Sequence, residues 1–349
     1  MNSLTTVFAP YVDVTLWPPY DIVACANQTN QKFFTLAFLV SNQSNNLSWG
    51  GYYPLNDLSN TWFLDKINNL RAIGGNVIFS FGGATGKEIS EVITDIPTLV
   101  DTYQNAINLY KMTVIDFDIE GAGLSNSAAI DRRNKALFII QQQNPNLKIN
   151  YTLPVLPTGL TDIGINLIDN IVANNVKINL VNLMTMDYGM NISDMASAAI
   201  SAGTSVNNLL QTKNLLSGVK VGLTNMIGVN DTQNETFSLQ NASTILTYAK
   251  ENSYIGLLSI WSANRDVAQT STSSIVSPSK SGIIQNQFEF INIFKSFSSF
   301  NVSPKIAPMS EKEQETPASP NLTIFYIGLP ILLLFCCFRF RKNKLLKQF

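Results

Sequence analysis

The sequence contains no histidine, and this absence excludes several kinds of active site. Without imidazole, neither a Ser-His-Asp triad nor a Cys-His pair can form, and no histidine can ligate a metal ion. Cysteine is scarce too, since only Cys25, Cys336 and Cys337 occur in 349 residues. These thiols cannot build a disulfide framework or a four-thiolate zinc site. We therefore expect no metal and no cofactor, and any chemistry must come from carboxylates, hydroxyls, amides and aromatic rings.

The chain also lacks an excess of charge of either sign. Its formal net charge is −1, so no basic surface for nucleic acid is expected. Apolar residues make up 45% of the chain, which is enough for a sizeable core. The length suits one large barrel-type domain or two ordinary domains.

Apolar, β-rich runs alternate with segments of helical periodicity over most of the chain. Because these runs are apolar on both faces, they resemble parallel strands that are buried on both sides. Eight such strands alternating with helices are typical of an α/β protein with a (β/α)₈ TIM barrel, which we assign to residues 5–297. The predicted strands lie at 7–16, 33–40, 76–81, 112–120, 147–153, 178–186, 219–227 and 255–261.

The composition changes after the barrel. Residues 298–321 have no apolar period and are predicted to be an exposed linker. Residues 322–338 carry no charge, and a helix of this length would span roughly 25 Å, near the lower limit for crossing a bilayer. The alternative is a buried core helix. The basic tail at 339–349 favours one C-terminal transmembrane helix.

A cytoplasmic basic tail predicts a single-pass membrane protein whose barrel is extracytoplasmic. The start, MNSLTTVFAP, has neither a charged n-region nor an apolar h-region, so a signal peptide is not visible. Three explanations stay open: a truncated start, unconventional export, or tail-first insertion that leaves the barrel in the cytosol.

The stretch VIDFDIEG (114–121) places acids at alternate positions of an apolar strand. Side chains alternate sides along a strand, so Asp116, Asp118 and Glu120 share one face and point into the barrel. They lie near the carboxyl end of the strand, where such barrels carry their active sites. The alternative is a set of solvated acids on an exposed edge, which the alternation with bulky apolar residues disfavours.

Electrostatic repulsion between these acids predicts a retained proton. Successive carboxylates would be about 7 Å apart. At an effective dielectric constant of 20, each adjacent ionised pair would repel by roughly 2.4 kcal/mol. The three acids should therefore not all be ionised at neutral pH, and the cluster keeps a proton that a general acid can donate.

This stretch resembles the D-x-x-D-x-D-x-E signature of family 18 glycoside hydrolases, the chitinases and their relatives. Other segments resemble family motifs on the third, sixth and eighth strands, and the start and the seventh strand resemble the bacterial and archaeal branch. The resemblance covers roughly residues 7 to 266. The segments are SFGG (80–83), NLMTMDYG (182–189), LSIWSANRD (258–266), FAPYVDVTLWP and MIGVND.

The resemblance implies a glycosidase that hydrolyses β-1,4-linked N-acetylglucosamine polymers, chitin or chitooligosaccharides. Glu120 would be the general acid/base, and the 2-acetamido oxygen of the substrate would be the nucleophile. Asp118 would orient the acetamide and balance its positive charge, while Asp116 would share a proton or a hydrogen bond with Asp118. The anomeric configuration would be retained.

The other motifs imply substrate contacts by Ser80, Met186, Asp187, Tyr188 and Trp261. Met186 occupies the usual tyrosine position of the sixth-strand motif, and Tyr188 is the candidate to supply the missing hydroxyl. Trp261 is predicted to stack under a sugar ring, with a core position as the alternative.

The signature departs from the family pattern at its start. Its first Asp and the Gly after it fall at Thr113 and Val114, which puts the tuning of Asp116 in question and adds bulk to the inward face. These departures keep two alternatives open: a non-catalytic chitin- or glycan-binding barrel, and a barrel that serves only as the scaffold of an anchor or receptor. An endo-β-N-acetylglucosaminidase acting on glycan cores would use the same acids. The expected partners are chitin or N-acetylglucosamine-containing glycans, and the membrane through the C-terminal helix.

Overall fold

A computed structural model describes residues 6–56, 61–213, 216 and 218–298. The chain divides between Asn301 and Val302, and every described residue lies in the first unit. The predicted membrane helix at 322–338, most of the predicted linker and the basic tail lie outside the described residues. Within the described residues, no helix has both the length and the apolar character needed to cross a bilayer.

The strands of the described residues are short at the chain start and longer in the barrel wall. In chain order they are β1 (Val7–Phe8), β2 (Tyr11–Asp13), β3 (Phe33–Ser41), β4 (Leu47–Trp49), β5 (Tyr53–Pro54), β6 (Asn76–Gly82), β7 (Val114–Asp118), β8 (Lys148–Pro154), β9 (Leu180–Met184), β10 (Lys220–Met226), β11 (Gly228–Val229), β12 (Thr236–Phe237) and β13 (Ile255–Trp261).

Helices follow the strands of the wall. They are α1 (Ile22–Thr29), α2 (Leu64–Ala72), α3 (Ile96–Tyr110), α4 (Gly121–Ser125), α5 (Ser127–Gln143), α6 (Asp162–Ala173), α7 (Met195–Gln211), α8 (Leu239–Glu251) and α9 (Glu289–Phe294). Short 3₁₀ turns lie at Ile89–Glu91, Ala263–Arg265 and Lys295–Phe297.

The wall is a closed barrel of parallel strands, which confirms the predicted (β/α)₈ fold. From β3, the order of neighbours is β6, β7, β8, β9, β10 and β13. The ring of strands is closed by the first strand position, which two short strands share. Strand β1 pairs with β13, and β2 pairs with β3. Every one of these pairings is parallel.

Helix α3 illustrates why the outer layer forms where it does. Asp95 caps its start by accepting a hydrogen bond from the Thr98 N–H at 3.0 Å, and Lys111 ends it in the left-handed conformation. Its buried side chains recur at helical spacing and face the sheet. They are Leu99, Val100, Tyr103, Ala106, Ile107 and Tyr110.

The barrel interior is layered along its axis, and this layering positions the site. Its amino-terminal end is closed by small and medium apolar side chains that form a cluster separate from the main core. Above this cluster lies a polar layer, and above that layer lies an open cavity. The apolar cluster consists of Ala9, Ile78, Leu180 and Leu257, with Val7, Phe33 and Val114 packed against it.

Candidate active site

The cavity at the carboxyl end of the barrel has a volume of about 490 Å³. Its wall includes Asp118 and Glu120 together with Met186, Asp187 and Tyr188, from the end of β7 and the loop after β9. Trp261, the last residue of β13, lies on the wall as well. Seven of the eight predicted site residues therefore lie in or directly beneath this cavity, and Ser80 joins them through Asp116.

Asp116 is buried beneath the cavity in a network of hydroxyl groups. Ser80 donates to its Oδ2 at 2.7 Å, and Tyr11 donates to the same oxygen at 3.0 Å. Thr152 donates to Oδ1 at 2.8 Å, and it accepts from the Asn182 amide at 3.0 Å. Burial raises the pKa of Asp116, although the three hydroxyl donors oppose this shift.

The network corrects two predictions about Asp116 and Ser80. Ser80 is fully buried and bonds to Asp116, so it lies below the cavity wall rather than at a position where it could touch a substrate. The expected bond between Asp116 and Asp118 is absent from the described residues, because the hydroxyl groups occupy Asp116 and Asp118 Oδ1 has no hydrogen-bond partner there.

The departures at Thr113 and Val114 lie below Asp116, towards the amino-terminal end of the strand. Thr113 is exposed before β7 begins, and its hydroxyl accepts from the Asn76 amide at 3.0 Å. Val114 faces inward, as predicted, but it packs against the apolar cluster at the other end of the barrel. The pKa of Asp116 is therefore set by burial and by its three opposing hydroxyl donors, and Thr113 is not among the causes.

Asp118 is 4% exposed, and it lines the cavity with an oxygen that no described residue satisfies. Burial raises its pKa well above the ordinary value, and the charges of Glu120 and Asp116 add to the shift. An unpaired buried carboxyl costs folding free energy, so its presence at a cavity wall makes Asp118 a candidate functional group.

Glu120 stands at the cavity mouth, where the strand gives way to helix α4. Its backbone is extended, and its side chain does not cap the helix, so the carboxyl is free to face the cavity. Burial, followed by the charge of Asp187, raises the pKa of Glu120 to about 7. The sequence predicted that repulsion among the three strand acids would retain a proton. In the structure, burial is the main cause of the raised pKa of each of these acids.

The Gly-Gly of SFGG lets the chain pass close to the acid-bearing strand. A Cβ on Gly82 would lie 2.1 Å from the Asp118 carbonyl oxygen, and one on Gly83 would lie 2.6 Å from the Phe38 ring. Both glycines have positive φ, and the Gly83 N–H donates to the Asp118 carbonyl oxygen at 2.9 Å. The motif therefore fixes the backbone beside Asp118.

One side of the cavity is aromatic. The Trp261 ring stacks on Phe38 with their centroids 5.5 Å apart, and it meets Tyr11 edge to face at 6.0 Å. Trp261 is only partly buried, so part of its ring remains available to a ligand. This geometry suits the predicted stacking of a sugar ring.

The loop after β9 carries Asp187 and Tyr188 to the cavity wall. Asp187 has a left-handed backbone (φ 49°), and its Oδ1 accepts from the Thr232 N–H at 2.8 Å. The Tyr188 hydroxyl is buried without a hydrogen-bond partner among the described residues, and the residue lines the cavity. Burial, followed by the charge of Glu235, raises the pKa of Tyr188. The contact of its hydroxyl with a substrate stays a prediction.

The sequence analysis missed two sets of residues: Tyr11 and Thr152, whose hydroxyl groups bind Asp116, and part of the cavity wall. A signal for Tyr11, Thr152 and Asn182 exists, because each is a polar residue in an inward position of a strand that is otherwise apolar. For Phe38 and Asp231 we find no such signal, since loop geometry and an irregular register bring them to the cavity.

A parallel barrel with an acid cluster at the carboxyl ends of its strands defines the class of protein: a (β/α)₈ barrel of the glycosidase type. The chain is 34% identical to a probable bifunctional chitinase/lysozyme of Escherichia coli over 317 residues, which cover 83% of this chain and 34% of that protein. It is 34% identical to endochitinase 11 of Metarhizium anisopliae over 282 residues, which cover 75% of this chain and 52% of that protein. The chain thus spans about a third and about half of these relatives.

A comparison with solved structures also finds a chitinase. The catalytic domain of a hyperthermophilic chitinase from Pyrococcus furiosus superposes with a TM-score of 0.74 at 32% identity, covering 84% of this chain and 97% of that domain. No model of a protein family matches the sequence. The chain belongs to family 18 of the glycoside hydrolases, the family of the chitinases.

Proposed function

We propose that this protein is a glycosidase that cleaves β-1,4-linked N-acetylglucosamine polymers, chitin or chitooligosaccharides, with retention of configuration. The observation that carries the proposal is the pair Asp118 and Glu120 on one cavity wall, the first buried with an unsatisfied oxygen and the second with a pKa of about 7. Relatives of the chain from three organisms are named chitinases.

In the proposed reaction, Glu120 gives its proton to the glycosidic oxygen, and the bond from that oxygen to the anomeric carbon breaks. The acetamido carbonyl oxygen of the same sugar bonds to the anomeric carbon and forms a cationic oxazolinium ring. Asp118 accepts a hydrogen bond from the acetamide N–H and balances the positive charge. Glu120, now a carboxylate, takes a proton from the water that opens the ring.

The other wall residues have binding roles in this proposal. Trp261 stacks beneath the sugar that carries the acetamide, and the Tyr188 hydroxyl donates to the acetamide carbonyl. Asp116 stays in its network of hydroxyl groups and fixes the strand below Asp118. Asp187 and Met186 shape the side of the cavity on which the leaving sugar lies.

The test is hydrolysis of a fluorogenic chitotriose by the purified protein and by Glu120→Gln. We expect turnover by the parent and a loss of roughly 10²-fold or more in the variant, because the amide N–H is far too weak an acid to protonate the glycosidic oxygen. Asp101→Asn, at an exposed position of α3, is the control and should keep full activity. Binding of chitin oligomers without cleavage of any tested substrate would instead favour the glycan-binding barrel. Release of glycan cores from glycoproteins in preference to chitotriose cleavage would identify an endo-β-N-acetylglucosaminidase.

A further inference from the structure

Two loops at the cavity rim hold each other through a pair of hydrogen bonds. The Thr232 N–H donates to Asp187 Oδ1 at 2.8 Å, and the Tyr188 N–H donates to Glu235 Oε2 at 3.1 Å. Each loop thus supplies one side-chain acceptor and one backbone donor. We call these two bonds the rim clamp. Its partners lie between β9 and α7 on one side and between β11 and β12 on the other.

Glu235 is an unusual residue for a purely structural contact. Its side chain is fully buried, and one carboxyl oxygen, Oε1, has no partner among the described residues. It forms none of the salt bridges found in the described part of the chain. A buried carboxyl without a cation costs folding free energy, so an apolar residue of the same size would be expected unless the acceptor is needed.

Both loops of the clamp contain a residue with a costly left-handed backbone: Asp187 (φ 49°) in the loop after β9, and Asn234 (φ 70°) beside Glu235 in the other loop. Asp187 adopts positive φ, a conformation that costs a non-glycine residue on the order of 1 kcal/mol or more and persists only where its surroundings enforce it. The clamp fixes this residue through its own side chain and through the N–H of its neighbour, Tyr188. The charge of the Asp187 carboxylate in turn raises the pKa of Glu120.

We propose that Glu235 is a positioning residue that holds the Asp187–Tyr188 segment in place against Glu120. The inference rests on the proposed function only for its kinetic readout. Glu120 interacts electrostatically with the carboxyl groups of Asp118 and Asp187. The Asp187 carboxyl in turn interacts with the charges of Asp231, Arg265 and Glu235. Loss of the clamp lets Asp187 leave the left-handed conformation and carries its charge away from Glu120. Glu120 then loses its proton at lower pH.

The experiment compares Glu235→Met with Glu235→Gln. Methionine fills a similar volume and removes the buried carboxyl, so this variant should fold, yet it cannot accept the Tyr188 N–H. Glutamine keeps an acceptor oxygen and serves as the matched control. The readouts are the ¹³C NMR titration of the Glu120 carboxyl, assigned by its loss in Glu120→Gln, and the pH profile of kcat/KM on a fluorogenic chitotriose.

We expect Glu235→Met to move the midpoint of the Glu120 titration and the alkaline limb of kcat/KM to lower pH, by roughly 0.5 to 1 pH unit. In Glu235→Gln both should stay where they are in the parent. In an Asp187→Asn background, Glu235→Met should cause no further shift. An unchanged titration in Glu235→Met, or equal shifts in Met and Gln variants, would overturn the proposal. A shifted titration in a protein that cleaves no substrate would support the clamp and count against the glycosidase.

Discussion

At the scale of single residues, the pKa of Glu120 sets the pH range in which the proposed reaction can run. The carboxyl must be protonated when the glycosidic bond breaks, and its pKa is about 7. We therefore expect kcat/KM on chitotriose to fall as the pH rises through about 7. Asp187→Asn removes a charge that disfavours ionisation of Glu120, so its alkaline limb should lie at lower pH. Profiles of kcat/KM from pH 4 to 9 test both points, and an identical limb in Asp187→Asn would contradict this assignment.

Asp118 leads to a prediction about stability. Burial raises its folded-state pKa above the unfolded value of about 3.9, so the folded chain holds this proton more tightly. The carboxyl therefore costs stability increasingly as the pH rises above about 4. Asp118→Asn cannot ionise, and its melting temperature should exceed that of the parent by a few degrees at pH 8 but not at pH 4.

Thermal unfolding at both pH values, followed by circular dichroism, measures the difference. Asp101→Asn on the exposed face of α3 is the control for the chemical change, and it should alter the melting temperature equally little at either pH. A lower melting temperature of Asp118→Asn at pH 8 would mean that Asp118 has a stabilising partner after all.

The sequence predicted the acids better than their surroundings. Alternation alone turns Asp116, Asp118 and Glu120 inward, because a strand has no other way to separate them from the buried Phe117. The partner of each acid depends on which side chain of the next strand reaches it. The register between neighbouring strands decides this, and the sequence does not show the register. Ser80 was therefore predicted to contact the substrate, although on β6 it lies directly beside Asp116 of β7.

At the scale of elements, β6 and β7 form a unit in which one strand supplies the acid and its neighbour a hydroxyl donor. Ser80→Ala removes the 2.7 Å bond to Asp116, and a hydrogen bond to a charged group contributes about 1.5–3 kcal/mol. That value refers to folding stability. For activity, we expect kcat/KM to fall by about tenfold, which corresponds to a loss of about 1.4 kcal/mol of transition-state stabilisation when Asp116 no longer fixes the strand below Asp118.

Ser259→Ala is the matched control for this change. Ser259 is also a fully buried serine on a barrel strand, but its hydroxyl donates to the Ala9 carbonyl oxygen at 2.7 Å, away from the acids. It should change kcat/KM by less than about twofold, since a neutral hydrogen bond contributes about 1 kcal/mol to stability and this one lies outside the site. Equal losses in both variants would show that Ser80 acts only on stability.

A buried ion pair joins helix α5 to the segment between β6 and the 3₁₀ turn at Ile89–Glu91. Arg133 Nε lies 3.0 Å from Glu88 Oε2, and both side chains are almost completely buried. The Arg133 guanidinium also lies over the Phe117 ring, 5.8 Å from its centroid. Arg133→Met leaves Glu88 buried without its cation and should lower the free energy of unfolding by about 3–5 kcal/mol. Urea denaturation of the parent, this variant and the double variant Glu88→Gln with Arg133→Met measures the effect.

The double variant should recover most of the lost stability, because it removes both charges together. If it is no more stable than Arg133→Met, the ion pair is not the source of the loss, and the contact of Arg133 with Phe117 is.

At the scale of the whole molecule, the barrel could be predicted from eight apolar runs, whereas the way it closes could not. The first run was predicted as one strand at 7–16. Pro10 has no N–H, and here the chain changes partners: the Ala9 N–H donates to Leu258 of β13, and the Pro10 carbonyl accepts from Thr35 of β3. The hairpins β4–β5 and β11–β12 were also missed, since short strands leave little periodicity. The second of them flanks the loop that bears Glu235.

The distribution of charge over the molecule predicts which glycans the cavity accepts. The chain is nearly neutral overall, yet Asp13, Asp118, Glu120, Asp187 and Asp231 line the cavity. No lysine or arginine occurs among the described residues of its wall. Although Glu120 and Asp118 hold protons more tightly than free acids do, the ionised acids of the wall are all negative, so they repel anionic ligands, and salt weakens this repulsion. N-acetylmuramic acid carries a lactyl carboxylate, whereas N-acetylglucosamine is neutral.

We therefore expect the protein to cleave N-acetylglucosamine oligomers in preference to peptidoglycan fragments of the same length, although one relative is named a chitinase/lysozyme. The comparison is kcat/KM for the two oligomers at 20 mM and at 500 mM salt, between which the Debye length falls about fivefold. Asp231→Asn, at the exposed rim, should narrow the preference without abolishing cleavage of the neutral oligomer, because Asp231 adds charge but takes no part in the proposed reaction. Equal kcat/KM for both substrates at low salt would show that the acids are screened or protonated during binding, and that shape rather than charge selects the substrate.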